Sequence, residues 1–383
     1  MTGKFQCVIL VKRFTNCGQT IYLEVHINTE VSLQFIADKS GVSKSLVSKL
    51  INGKHVRVSD ETKNRVLRAI KEYNYTPNRI ASGLRKKCTN ILGCILPDTN
   101  TDFFTELAFS IEACARENGY QTIMCNSNQD PELERKYLLL YQSKMIDGMI
   151  IDHSDSEINL DLFHMMQKDG FAHVFVDRYI KSLNSFFVVS DGFYGSYTLT
   201  SELLKRGHKR IIMIGHNRSL NTSVHLERLA GYEKAMIEAS LPYELFSLDD
   251  NIPFDEQAIY KKLSSNLPPT GIVLTTSWNI EYLLEIFYRL NLRVPEDCEL
   301  ATFDKFSLSF SSIKSMEISR LIQRPPIIAE QDPIQMGRCA VNMLIARIKG
   351  EPVPEREVFI RTGILNLAFC FALINWFLKF FYL

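Results

Sequence analysis

Between Gly41 and Asn52 the chain alternates small hydroxyls with ammonium groups. On a helix of 3.6 residues per turn, Lys44, Ser45, Ser48, Lys49 and Asn52 would share one side, with Leu46, Val47, Leu50 and Ile51 on the other. Such a side can donate hydrogen bonds to phosphate oxygens and base edges, and a single helix is slim enough to enter a DNA major groove. A small three-helix packing unit with a solvated face would carry the same pattern, so both readings stand. A second set of candidates is scattered along the chain. Phe103 and Phe104 close the run PDTNTDFF, and Asp177 and Asp304 follow AHVFV and ELATF. Arg228 lies in ERLAGY. The carboxylates can accept hydroxyl hydrogen bonds, and an aromatic can stack on a sugar or base. The two phenylalanines can equally be core, and Arg228 a surface ion pair.

The elements that would hold the first set are legible from periodicity. A helix is predicted over Leu33 to Lys39, with Phe35, Ile36 and Ala37 available for packing. Gly41 supplies the turn, since only glycine takes a positive φ without steric penalty. Ser43 reads as the N-cap of the next helix, with Val42 and Val47 spaced as a hydrophobic staple. A third helix begins at Ser59, has Asp60 and Glu61 at its positive end, and offers Val66, Leu67, Ile70 and Tyr73 as its apolar face. From residue 90, short apolar runs alternate with amphipathic helices: ILGCIL, QTIMC, MIDGMII, AHVFV, RIIMIG, TGIVLT and CELATF. That alternation predicts two doubly wound parallel sheets with a cleft at the carboxyl ends of their strands. Between the two regions, NRIASGLRKK (78–87) is a helix of about two turns, weakened by Gly83 and marginal alone.

Composition sets the bounds. A length of 383 residues calls for two or three domains, and the net charge is +1. From Val31 to Cys88 there are 13 Lys and Arg against 4 Asp and Glu, whereas acidic residues outnumber basic ones from residue 89 onward. A basic segment joined to an acidic one suits phosphate binding by one end only. The nine cysteines form no C-x-x-C, and several lie in apolar runs, so buried thiols in a reducing compartment are expected and structural zinc is not. There is no G-x-G-x-x-G, P-loop, G-x-S-x-G or zinc-ligand spacing, so neither an enzyme nor a cofactor is indicated. No secretory signal is evident at the N-terminus.

The segment IADKSGVSKSLVSKLING followed by VSDETKNRVLRAIKEYNYTPNRIA closely resembles the DNA-binding headpiece of the lactose/galactose repressor family of bacterial transcriptional regulators. The similarity continues through LGCILPDTNTDFFTEL, ENGYQTIMCNSNQDPE, IDGMII, ELLKRGHKRI, ERLAGYEKAM and LRVPED, covering roughly 31 to 350. The resemblance implies a helix-turn-helix headpiece, a hinge helix and a two-lobed periplasmic-binding-protein-like sensor. It implies base reading by Lys44, Ser45 and Lys49, and phosphate or base contacts from Ser32, Ser43, Ser48 and Asn52. His55 lies in the following loop, which also approaches the backbone. Asn78 would cap the hinge helix, Arg79 hold the backbone and Leu84 wedge between base steps of the minor groove; Leu84 packing into the sensor is the alternative. In the sensor it implies effector binding by Arg228, alongside Phe103, Phe104, Asp177 and Asp304. Where the family usually has an Asn-Asp pair, this chain has TTSWN, so that contact passes to Ser277, Trp278 or Asn279, and FDK replaces Phe-Asp-Asp.

The expected division is 1–30, an unexplained extension with two β-like runs; 31–76, the headpiece; 77–88, the hinge; 89–363, the sensor; and 364–383, a hydrophobic tail. That tail, ILNLAFCFALINWFLKFFYL, is long enough to span a bilayer, but Lys379 makes a disrupted end the better reading than an anchor. The expected function is a ligand-responsive, cytoplasmic transcriptional regulator, a repressor of carbohydrate-related genes. It would bind a pseudo-palindromic double-stranded operator as a homodimer and respond to a sugar, sugar acid, sugar phosphate or nucleobase. An enzyme on the same scaffold and a transport sugar-binding protein are the competing classes. The second should carry a signal peptide and no basic headpiece.

Overall fold

A computed structural model describes residues 6–14, 20–28, 31–51, 55–75, 88–98, 101–154, 158–216, 222–248, 256–277, 280–305 and 322–365. The chain divides into two compact units, Met1–Thr89 and Asn90–Leu383. Among the described residues no helix is long and apolar enough to cross a membrane.

In the first unit, strands β1 (Gln6–Phe14) and β2 (Thr20–Asn28) pair antiparallel, with Gln6 opposite Asn28 and Phe14 opposite Thr20. Among the described residues three helices follow: α1 (Leu33–Ser40), α2 (Lys44–Ile51) and α3 (Asp60–Glu72). Their boundaries have local causes. The Ser32 hydroxyl accepts from the Phe35 amide at 3.1 Å, that of Ser43 from Leu46 at 3.2 Å, and that of Ser59 from Thr62 at 3.3 Å. Gly41, at φ 62°, closes α1 in the left-handed conformation and turns the chain into α2. Ile36, Ala37, Val47, Val66 and Ala69 form the core, bordered by the Phe35 and Tyr73 rings in edge contact at 5.1 Å. Leu67, expected on the apolar face of α3, is 46% exposed. Val66, Ala69, Ile70 and Tyr73 already occupy that face at i, i+3, i+4 and i+7, and Leu67 points about 100° away from Val66.

The second unit holds two six-stranded sheets. The first is fully parallel, with order β13 (Glu357–Ile360), β7 (Phe187–Ser190), β6 (Ala172–Val176), β5 (Gly148–Ile151), β3 (Ile91–Leu96) and β4 (Gln121–Asn126). The second runs β14 (Gly363–Leu365), β12 (Ile327–Glu330), β11 (Glu299–Phe303), β10 (Gly271–Leu274), β8 (Ile211–His216) and β9 (Leu245–Leu248), with β14 alone antiparallel. In both sheets the strand order reverses beside the first strand of the lobe, the arrangement that leaves a crevice at the carboxyl ends. The central strands are buried on both faces, as β-α-β packing requires.

Helices complete each lobe. In the first are α4 (Asp102–Glu117), α5 (Pro131–Leu138), α6 (Leu160–Lys168) and α11 (Pro333–Lys349). In the second are α7 (Gly192–Lys205), α8 (Ser223–Glu238), α9 (Glu256–Leu263) and α10 (Ile280–Leu290). Because α11 packs on the first lobe's core and α7 on the second's, the chain crosses between lobes three times, near 191, 331 and 361. Two crossings are tied together by the Asp191 amide, which donates to the Ile360 carbonyl at 2.8 Å. The apolar run read as the start of a separate tail opens inside β14. Ile364 and Leu365 pair there with Ala329 and Ile328, and Ile364 packs on the second lobe's core. Residues 366–383 of that run lie outside the described residues.

Candidate functional site

On α2 the two predicted sides separate in part, with Leu46, Leu50 and Ile51 half-buried. Val47 is fully buried, and Lys44, Ser45 and Lys49 are exposed, with Ser48 half-buried. The helix carries no acidic side chain. Ser32 and Ser43 are exposed cap residues, so their hydroxyl oxygens already accept from the backbone and the hydroxyl protons remain for an outside acceptor. His55 is exposed in the loop before α3. Asn52, Asn78, Arg79, Leu84, Trp278 and Asn279 lie outside the described residues.

Three of the sensor candidates, Asp177, Arg228 and Asp304, come together where the lobes meet. Asp177 leaves β6 at φ 62° and Asp304 leaves β11 at φ 65°, the same left-handed step at equivalent strand ends of the two lobes. Aspartate tolerates that conformation better than most residues. Arg228, on α8, is 2% exposed, which removes the surface ion-pair alternative. One guanidinium nitrogen, Nη1, donates to the Thr275 carbonyl at 2.6 Å, and the guanidinium carbon sits 3.9 Å from the Phe303 ring centroid. Among the described residues its buried Nε has no hydrogen-bond partner. Glycine sets this position: a Cβ on Gly231 would meet the Phe193 carbonyl oxygen at 2.2 Å, so only glycine lets α8 lie this close to α7.

Charge in the cluster is strongly skewed by burial. Burial lifts Asp177 and Asp304 above the ordinary aspartate value, opposed by Arg228 in both cases and by Arg178 at Asp177. Burial likewise pulls Arg228 down, while Asp304, Asp177 and Glu227 pull it back up. Gln331 donates to both oxygens of Asp304, at 2.8 and 3.0 Å, and its own buried Oε1 is left unpartnered. Phe103 and Phe104 lie in the first turn of α4, half-buried against the first lobe's core, with their rings in edge contact at 5.0 Å. The Ser277 hydroxyl donates to the Lys305 carbonyl at 3.3 Å.

Several residues here escaped the sequence reading. Asp152 follows β5 directly, the same strand-end signal that marked Asp177, and Arg178 follows Asp177 itself. The Arg178 Nε donates to Asp152 Oδ1 at 2.6 Å, and the other Asp152 oxygen is buried without a partner among the described residues. Burial pulls the Arg178 guanidinium down, but Asp152, Asp177 and Glu134 together raise it overall. Tyr179 bridges the lobes: its amide donates to the Ser223 hydroxyl at 3.0 Å and its own hydroxyl to Glu227 at 2.9 Å. No sequence pattern announces that bridge, because its ends are 44 and 48 residues apart.

Residues 32–78 match the family described as "Bacterial regulatory proteins, lacI family", and residues 200–366 match "Periplasmic binding protein-like domain". The "HTH-type transcriptional regulator RegA" of Clostridium saccharobutylicum is 30% identical over 328 residues, 85% of this chain and 94% of its own length. This chain belongs to the lacI family. The "Ribose operon repressor" of Haemophilus influenzae is 27% identical over 321 residues, covering 83% of this chain and 92% of that protein. Among solved structures, the lac repressor dimer bound to operator and the anti-inducer ONPF superposes with a TM-score of 0.73 over 88% of this chain and 98% of its own, at 19% identity, a likeness of fold. As a lacI-family member the chain is a DNA-binding transcriptional regulator with a helix-turn-helix and a doubly wound, two-lobed α/β domain. Its relatives are regulators of transcription.

Proposed function

We propose that this lacI-family regulator is a cytoplasmic repressor of carbohydrate-related genes, working as a dimer on a pseudo-palindromic operator and switched by an effector held between its lobes. In this reading residues 31–76 bind DNA, 77–88 form the hinge, and the sensor begins at residue 89. Lys44, Ser45 and Lys49 read base edges, while Ser32, Ser43, Ser48, Asn52 and His55 hold phosphates or adjoining bases. Asn78, Arg79 and Leu84 anchor the hinge in the minor groove. Pairing fits an exposed apolar border on the first lobe: Phe109 on α4 is 66% exposed, and Ile123 and Met124 on the edge strand β4 are 37% and 42% exposed.

The observation that carries the effector reading is Arg228, buried among carboxylates from both lobes with its Nε free to donate. Around it the remaining hydrogen-bonding capacity is mostly accepting: Asp177, Asp304, one oxygen of Asp152 and Oε1 of Gln331. A neutral polyhydroxylated ligand fits that balance, because each hydroxyl can donate to a carboxylate and accept from Arg228. A sugar acid or sugar phosphate would bring a further negative charge against these carboxylates, and a nucleobase offers fewer donors. Phe103, Phe104, Ser277 and Asn279 would border the ligand. Effector binding shifts the operator-competent population only through its different affinity for the two states.

A thermal-shift screen of neutral sugars, sugar acids, sugar phosphates and nucleobases on the full chain tests this reading. Stabilisation by a neutral sugar that Arg228→Ala abolishes is the expected result. Stabilisation by anionic compounds alone would contradict it.

A further inference from the structure

Away from the interlobe cluster, two arginines share one ring at the amino-terminal edge of the first lobe's sheet. The guanidinium of Arg347, in the last turn of α11, lies 4.2 Å from the Phe186 ring centroid, and that of Arg356, just before β13, lies 4.9 Å from it. They border a cavity of about 220 Å³ with Gln167, His173, Asn184 and Ser185. Arg347 donates to the His173 carbonyl, and Arg356 donates to the Asn184 carbonyl and, at 3.2 Å, to that of Ser185. Neither forms a salt bridge among the described residues. Burial lowers the pKa of Arg347, and the neighbouring Arg356 lowers it further, with no carboxylate to oppose either.

Two guanidinium groups carry ten N–H donors, and three are used here, so the cavity is lined by donors and by two positive charges without an ion pair among the described residues. This is the reverse of the interlobe cluster, where acceptors dominate. The carboxyl end of α11 and the Phe186 face help hold the two cations together, but neither neutralises them. Planar guanidinium forks match oxyanions bidentately. The cavity is below the roughly 300 Å³ at which drug-sized ligand pockets begin, so it suits a compact group.

We propose that Arg347, Arg356 and Phe186 form an oxyanion site separate from the interlobe cluster, taking inorganic phosphate or the phosphate of a small monoester. The neutral His173 ring keeps its side of the cavity from adding charge, since burial depresses its pKa to about 4.

The test is thermal unfolding and calorimetric titration of the full-length protein with inorganic phosphate and with glycerol 2-phosphate, against sodium chloride of matched ionic strength. Saturable stabilisation beyond chloride is expected in the wild type and in Arg228→Ala, with tenfold or greater weakening in Arg356→Gln. Arg356→Lys, which keeps the charge but not the fork, should fall between. Tighter binding of the monoester would identify a phosphorylated metabolite as the occupant, and equal binding inorganic phosphate. Phosphate no better than chloride in the wild type would overturn the proposal. So would loss of the effect in Arg228→Ala, or its survival unchanged in a folded Arg356→Gln.

Discussion

Arg178 and Arg228 are both buried arginines where the lobes meet, yet they are satisfied in opposite ways. Arg178 forms an ion pair with Asp152 inside one lobe, at 2.6 Å. Arg228 spends a donor on a backbone carbonyl, stacks on Phe303, and leaves Nε open, with its charge shared among Asp177, Asp304 and Glu227. The first is a direct pair that holds the lobe, with one Asp152 oxygen left over among the described residues. The second is open, because no described residue completes it. A buried polar group without a partner costs stability, and a ligand that supplies the partner recovers that cost.

Breaking the direct pair should have the largest effect on stability. Arg178→Ala leaves Asp152 buried and uncompensated, and the expected loss is about 3–5 kcal/mol in urea unfolding. Arg228→Ala should cost less stability, because no direct ion pair breaks, yet it should abolish the thermal shift given by the effector. A larger unfolding loss for Arg228→Ala than for Arg178→Ala would reverse the contrast. Tyr179→Phe removes one hydrogen bond across the lobes and should cost about 0.5–1.5 kcal/mol, with a change in effector affinity where Tyr179 holds the lobes together.

Acidity sharpens the comparison further. Burial raises Asp177 and Asp304 above the ordinary 3.8, so the folded chain keeps protons that the unfolded chain has released. Their contribution is complete below pH 3.8 and is lost as pH rises through the raised values. Replacing both with Asn should therefore flatten the fall in stability above that pH, read from urea midpoints across a pH series. The smallest expected effect lies in the other unit. Lys44→Ala or Lys49→Ala should leave folding untouched and, where the ammonium meets a phosphate, reduce the salt slope of operator binding by about one.

The two units differed in how far the sequence disclosed them. In the headpiece, Gly41, Ser43 and Ser59 act within about one helical turn of themselves, so two caps and the turn could be read directly, while the Ser32 cap was not. Leu67 was misplaced because adjacent apolar residues on a helix cannot be ranked by pattern alone when Val66 and Ala69 already fill the face. In the sensor, Asp177 and Asp304 were visible as strand ends, but their shared left-handed backbone was not. Asp152 carried the strand-end signal without being singled out, while Arg178, Gln331 and Tyr179 gained their meaning only from topology, which joins residues 26 to 48 positions apart within and between the two sheets. The edge strand β14 was hidden for a related reason, since its apolar residues continue into a longer apolar run.

The central claim is that the exposed hydroxyl and ammonium side of α2 reads duplex sequence. It is tested most directly by titrating the full-length protein, at several salt concentrations, against fragments of its own genome in the presence of excess random-sequence DNA. The account predicts one or a few fragments bound far more tightly than the competitor, with the preference weakened by the double substitution Lys44→Ala and Lys49→Ala. Equal affinity for every fragment, or a preference that the double substitution leaves intact, would contradict it.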